Sequence, residues 1–298
     1  MHKRMTIIFI FCLLFFGVYG QNYDSLINAA HPLLKAGRIP TYYIRGTEKV
    51  AFHLQELYTR AASYFERLYG KRFHVKLAVL DSAHWLNDIV PYGIIFYDDG
   101  WMVMNAGMSL SSFKKVYGME AFGDVVDREL KKEKISGADM VNSFLEVFGI
   151  HELGHYYFDR LSNVSQPDTL TTEWTATYFS YQYFINNKPS SLPPFDLFCR
   201  LFRDNIKPKY TSIKDFNSKY TSGGIPTYGW YHVNFYFLVK EMYRCAGTEF
   251  IPWYERAFAK DKKKSFSTEE IKEVFDGKCR GVFDNWAQIL KNTVASAN

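Results

Sequence analysis

Apolar side chains recur at helical spacing between residues 48 and 69. Val50, Phe52, Leu54, Leu57, Ala61, Ala62, Phe65 and Leu68 form a stripe that stops at Gly70. The pattern predicts an amphipathic helix closed by a glycine C-cap. From Phe73 to Leu80 the period changes to two: Phe73, Val75, Leu77 and Val79 alternate with polar or smaller residues, which reads as a strand. Two short β-like runs follow, Ile94 to Tyr97 and Trp101 to Met104. Asp98-Asp99-Gly100 between them is a hairpin turn signal. Residues 111 to 135 are charged and mixed, as expected of helix and loop facing solvent.

From Ser136 onward the pattern is helical. Ala138 to Leu161 sets Val141, Phe144, Leu145, Phe148, Ile150 and Leu153 on one buried stripe. A polar stretch, Ser162 to Thr172, separates this helix from another predicted at Glu173 to Ile185. Pro189 to Pro194 interrupts the chain, and further helices are expected near 196–204, 228–245, 248–260 and 268–291. Ser267 with Glu270 makes a capping box at the start of the last. The order of helix, small sheet and then mainly helices predicts an α+β fold. Residues 21–298 are expected to form one domain, with a helix/sheet lobe to about 135 and a helical lobe from about 136.

Composition changes this picture mainly at the N-terminus. The 298 residues are 47% hydrophobic and 22% charged, enough to bury a substantial core. Residues 1–20 do not belong to that core: a short basic start is followed by an apolar run from Thr6 to Tyr19 ending at Gly20. This reads as a cleaved secretory signal, and the run is shorter than the roughly 20 residues of a membrane span. A secreted or periplasmic protein without stable membrane insertion is therefore expected. Loss of Lys3 and Arg4 lowers the net charge from +5 to +3, too small a surplus to call for nucleic acid as a partner. The run Lys262-Lys263-Lys264 reads as a solvated loop. Cleavage also removes Cys12 and leaves Cys199, Cys245 and Cys279, of which Cys245 and Cys279 are the preferred pair because both lie in the C-terminal helical segment.

His151-Glu152-Leu153-Gly154-His155 carries the chemistry. Histidines at i and i+4 share a helical face, so both imidazoles can point at one ion with Glu152 beside it. Without a partner, such a polar cluster inside an apolar helix is costly. A catalytic zinc takes three protein ligands and keeps one position for water, so a third ligand is required. A histidine six residues after His155 would supply it, but Leu161 stands there. Asp159 lies one turn beyond His155 and would have to reach along the helix axis. Glu173 follows His155 by 18 positions, after an 11-residue polar loop, and a returning antiparallel helix would bring its carboxylate back.

HELGH followed by Glu173 one helix later resembles the gluzincin clan, including aminopeptidases of the leukotriene hydrolase kind and the peptidase MA-like families. The resemblance extends over roughly residues 50 to 291. It takes in Tyr228-Gly-Trp-Tyr-His-Val-Asn-Phe-Tyr-Phe-Leu238, Gly247-Thr-Glu-Phe and the closing Ser267-Thr-Glu-Glu…Trp286…Leu290. It implies a zincin-like fold, Zn2+ on His151, His155 and Glu173, and a peptide or protein substrate. By the chemistry of such a site Glu152 is the general base, and Tyr228 is expected to stabilise the oxyanion, with Tyr231 as the alternative. His232 is i+4 from Tyr228 and shares its face. Many relatives carry an acidic residue four positions after the third ligand. Here Thr177 stands in that place, which implies a weaker hold on the metal or a substitute role for Asp159.

Gly118-Met119-Glu120-Ala121 imitates an aminopeptidase amine-binding motif but lacks its terminal asparagine. Trp101 to Asn105 is the better candidate for an edge that binds a peptide as an added strand. The expectation is a secreted zinc peptidase. Its alternative is a non-catalytic extracellular binding protein that keeps the fold and metal, suggested by the 18% aromatic content and by Thr177.

Overall fold

The computed structural model describes residues 23–85, 94–165, 168–219, 222–260 and 266–284. The expected signal segment with Cys12, the lysine run at 262–264, and Trp286 and Leu290 lie outside them. The chain opens with α1 (Tyr23–Ala29), then β1 (Leu33–Lys35), β2 (Thr41–Tyr43), α2 (Glu48–Tyr69), β3 (Lys76–Leu80), β4 (Ile95–Asp98) and β5 (Trp101–Asn105). Helices α3 (Leu110–Val116), α4 (Gly123–Glu133) and α5 (Gly137–Tyr156) follow, α5 ending in a π-helical turn at Tyr157–Leu161. The remainder is α6 (Thr169–Asn187), α7 (Leu192–Asn205), α8 (Ile213–Lys219), α9 (Gly224–Ala246), α10 (Phe250–Ala257) and α11 (Thr268–Lys278). This is an α+β fold, predominantly helical around a small mixed sheet. Among the described residues no helix is long and apolar enough to cross a membrane.

Gly70 caps α2 in the left-handed region at φ 67° and donates its N–H to the Glu66 carbonyl, as the glycine signal predicts. The five strands are ordered β1-β2-β3-β5-β4. β2 and β5 run parallel to β3, while β1 and β4 are antiparallel edges. The hairpin turn falls on Asp99 (φ 43°) and Gly100 (φ 80°), the paired positive dihedrals that a two-residue turn requires.

Both sheet faces are covered. Leu77, Val79, Met102 and Met104 enter the main core, which runs from Ile39 to Phe283. Ala78, Leu80, Trp101 and Val103 join a smaller cluster with Tyr23 and Ile27 of α1. Every side chain of β5 is therefore buried.

The structure corrects the expected edge. β5 lies inside the sheet and β4 is outermost, because the hairpin places its second arm beside β3. The expected helix over 268–291 is also interrupted: α11 stops at Lys278, and Cys279 takes an extended φ of −131°. Cys279 is bridged there to Cys245 with Cα atoms 5.8 Å apart, and Gly281 turns the chain at φ 72°. Cys199 is free and buried.

Candidate metal centre

Ser136 starts α5 with a reciprocal capping box: its hydroxyl accepts from the Asp139 N–H, and the Asp139 carboxylate accepts from the Ser136 N–H. Beyond the first turn α5 is apolar on nearly every side, as suits a helix packed against α6, α7 and β4. Gly154, inside the motif, controls how closely α6 approaches. A Cβ at that position would stand 3.0 Å from Ala176 Cα and 3.1 Å from its carbonyl oxygen. The two backbones therefore touch between Glu173 and Thr177. α6 itself begins at Thr169, with the Asp168 side chain accepting from the Thr171 N–H. Glu173 thus lies in the second turn of its helix and does not open it.

Three ligand-type atoms converge where the helices meet. His155 Nε2 is 3.0 Å from His151 Nε2, and Glu173 Oε2 is 3.2 Å from His151 Nε2 and 3.3 Å from His155 Nε2. A tetrahedral ion with bonds of about 2.0–2.1 Å to imidazole and carboxylate spaces its ligand atoms about 3.3–3.4 Å apart. The observed triangle is close to that size. His151, His155 and Glu173 can hold a metal ion.

The electrostatics fit a site that exchanges protons for a metal. Burial pushes His151 down to about 4, and its exposure is only 3%. Burial opposes protonation of His155 too, but the Glu173 charge and bond outweigh it and raise the group to about 9. Glu173 is held well below the usual carboxylate range, its burial outweighed by the His155 charge and the bonds from both histidines.

Glu152 is beside the triangle and partly exposed. Desolvation raises it to about 7, and the Tyr97 backbone N–H bonds its carboxylate. That N–H is free for the task because Asn105 N–H donates to the Ile94 carbonyl. Antiparallel alternation then turns the peptide groups of Ile95 and Tyr97 away from β5.

His232 faces the triangle from α9. Its Nε2 is 3.7 Å from Glu173 Oε2, the side chain is buried, and neither ring nitrogen has a hydrogen-bond partner. Burial lowers it to about 3, so the imidazole is neutral. Tyr228 meets the site through its ring, whose centroid is 4.1 Å from that of His232. Tyr231 is directed elsewhere and donates its hydroxyl to the Ser212 carbonyl at 2.8 Å.

Asp159 is exposed on the π-helical turn, where it accepts from the Tyr97 hydroxyl at 3.2 Å and pairs with Arg160. The histidine partner is instead Thr177, 3.1 Å from His151 Nδ1. Glu120 is exposed on a 3-10 turn, and Gly118 before it approaches Pro226 at the start of α9.

Two contributors escape a motif search. Gly154 is part of HELGH, yet its importance depends on Ala176, 22 positions away. Tyr97 acts through its backbone, which no side-chain pattern reveals. No family model and no curated protein matches this chain.

Proposed function

We propose that the protein is a zinc-dependent peptidase of the gluzincin type, with a zincin-like arrangement of sheet and motif helix. The observation that carries this reading is the triangle of His151, His155 and Glu173 atoms, with Glu152 beside it and His232 Nε2 3.7 Å from Glu173 Oε2. Two imidazoles and one carboxylate are the donor set of catalytic zinc sites that leave a position open. Bound there, the ion supplies a Lewis acid that polarises a carbonyl and acidifies water.

The chain's own residues do the rest. Glu152, steadied by the Tyr97 N–H, accepts a proton from water and returns it to the leaving amine. His232 donates its ring N–H to the oxygen that gains charge, and neutrality leaves it one donor and one acceptor. Tyr228 packs on that ring and holds its orientation. The outward peptide groups of β4 offer an extended substrate the bonds of an added strand. Export belongs to the same proposal, and the Cys245–Cys279 disulfide is compatible with an oxidising compartment.

The test is Glu152→Gln. It is expected to bind one equivalent of zinc, measured by elemental analysis, and to lose peptide hydrolysis. Cleavage at the wild-type rate by this variant would remove Glu152 from the mechanism. Full zinc loading of the wild type without turnover of a broad peptide library would favour a metal-bearing binding protein instead.

A further inference from the structure

We infer that a cavity on the side of α5 away from the metal centre binds a small organic anion through the ammonium groups of Lys49 and Lys134. The cavity holds about 650 Å³, a volume within the range of small-molecule sites. Glu146 is part of its wall, five positions before His151 on α5 and so about 140° around the helix from that residue. The rest of the wall comes from α2, from the link between α4 and α5, and from the link between α6 and α7.

The acids of this cavity are already engaged. Glu146 accepts from Lys188, His53 and Ser191. The Asp139 carboxylate accepts from the N–H and the hydroxyl of Ser136, closing the cap of α5. Lys49 and Lys134 are exposed, and neither ammonium has an ion pair or hydrogen bond among the described residues. Each also stands where local structure disfavours it. Lys49 is the second residue of α2, at the positive end of the helix dipole, where an acid is favoured over a cation. Lys134 caps α4 at φ 57°, a left-handed position that glycine or asparagine ordinarily fills. The first turn of α7 reaches the same wall at Pro194 and adds another positive helix end, whereas that of α5 is offset by Asp139.

Positive charge thus collects around a cavity whose own acids cannot answer it. An entering anion neutralises both ammonium groups and gives them acceptors. Asn142 and Ser190 in the same wall can bond an uncharged remainder, and the volume is far more than an inorganic ion fills. The ligand class is therefore a small organic molecule bearing a phosphate or carboxylate group.

Calorimetry at low ionic strength, with glucose 6-phosphate, citrate and uncharged glucose as probes, tests this. At least one of the two anions should bind saturably, and the tighter one identifies the acidic group; glucose should not bind. Lys49→Glu and Lys134→Gly each remove an ammonium while restoring the residue type the backbone prefers. Both variants should therefore unfold at or above the wild-type temperature, yet weaken anion binding on the order of tenfold or more. Lys115→Gln/Lys209→Gln alters two exposed lysines outside the cavity and lowers the net charge as much as Lys49→Glu does. It should bind the anion like the wild type, and zinc uptake should be the same in all four proteins. Saturable binding of neither anion, or undiminished binding in Lys49→Glu and Lys134→Gly, would overturn the inference. So would glucose binding as tightly as its phosphate.

Discussion

Glu146 on α5 and Glu173 on α6 are both buried carboxylates, 5% and 6% exposed, and both are held ionised. Their surroundings differ in kind. Glu146 Oε1 meets Lys188 Nζ and His53 Nε2, each at 2.5 Å, while its Oε2 accepts from the Ser191 hydroxyl at 2.6 Å. A fixed ammonium from the chain itself neutralises it. Glu173 is surrounded by His151, His155 and His232, which are cations only when protonated. The first cluster is complete as folded and fastens α5 to α2 and to the α6–α7 connection. The second is balanced by whatever its ring nitrogens take up, a proton or a metal. Burial of a carboxylate therefore says little about its role; the nature of its counter-charge says more.

The sharpest way to break this comparison is acid. Partners hold Glu146 down to about 2, against an ordinary value near 4.5, the His53 bond acting first and Lys188 and Ser191 adding to it against the opposing effect of burial. A depressed carboxylate stabilises the fold above its unfolded pKa and loses that contribution as pH falls toward the folded one. Between about pH 4.5 and 2 the wild type should lose on the order of 3 kcal/mol through this group. Urea titrations at stepped pH are expected to show this slope in the wild type and its loss in Glu146→Gln. Glu146→Gln should still bind one equivalent of zinc.

The complementary experiment addresses Glu173. Zinc at a hundredfold excess over its Kd should stabilise the wild type by about 2.7 kcal/mol. Thermal unfolding with and without chelator is expected to show that gain, and Glu173→Gln should show almost none. Equal zinc stabilisation in both proteins would erase the distinction between the two carboxylates. The smallest effect concerns spacing. Gly154→Ala forces its new methyl group against the Ala176 backbone, an overpacking that typically costs about 1–3 kcal/mol. Zinc affinity should drop by more than it does for Gly277→Ala, a position with open space around it.

What the sequence made legible follows from how locally each feature is encoded. His151 and His155 share one turn, so spacing alone identifies them. Glu173 follows from a single loop and a returning helix, although its helix starts a turn earlier than the apolar pattern suggests, at the Asp168 cap. β1 and β2 have three residues each, too few to display a period. Strand order is not periodic information at all, which is why β5 could be taken for the edge. Tyr231 and Tyr228 lie on the same helix with similar surroundings in sequence, and what separates them is the Ser212 carbonyl at the one and the His232 ring at the other. The Glu146 cluster draws on residues 53, 146, 188 and 191, which no local pattern links. Thr177 was visible by position, but its bond to His151 Nδ1 exists only because α5 and α6 meet there.

Tyr97 gives the free edge of the sheet a fixed relation to the acid beside the triangle. Its N–H bonds Glu152, its ring packs edge-on against Tyr156 at 5.8 Å, and its hydroxyl reaches Asp159. Arg160 adds a link to Asp99 at the hairpin tip. The edge strand and the end of the motif helix therefore work as a ruler, with Tyr97 as the mark common to both scales. On the proposed peptidase reading, a substrate laid along β4 would be measured from the same residue that holds Glu152, and its register along the strand would be its register against the acid.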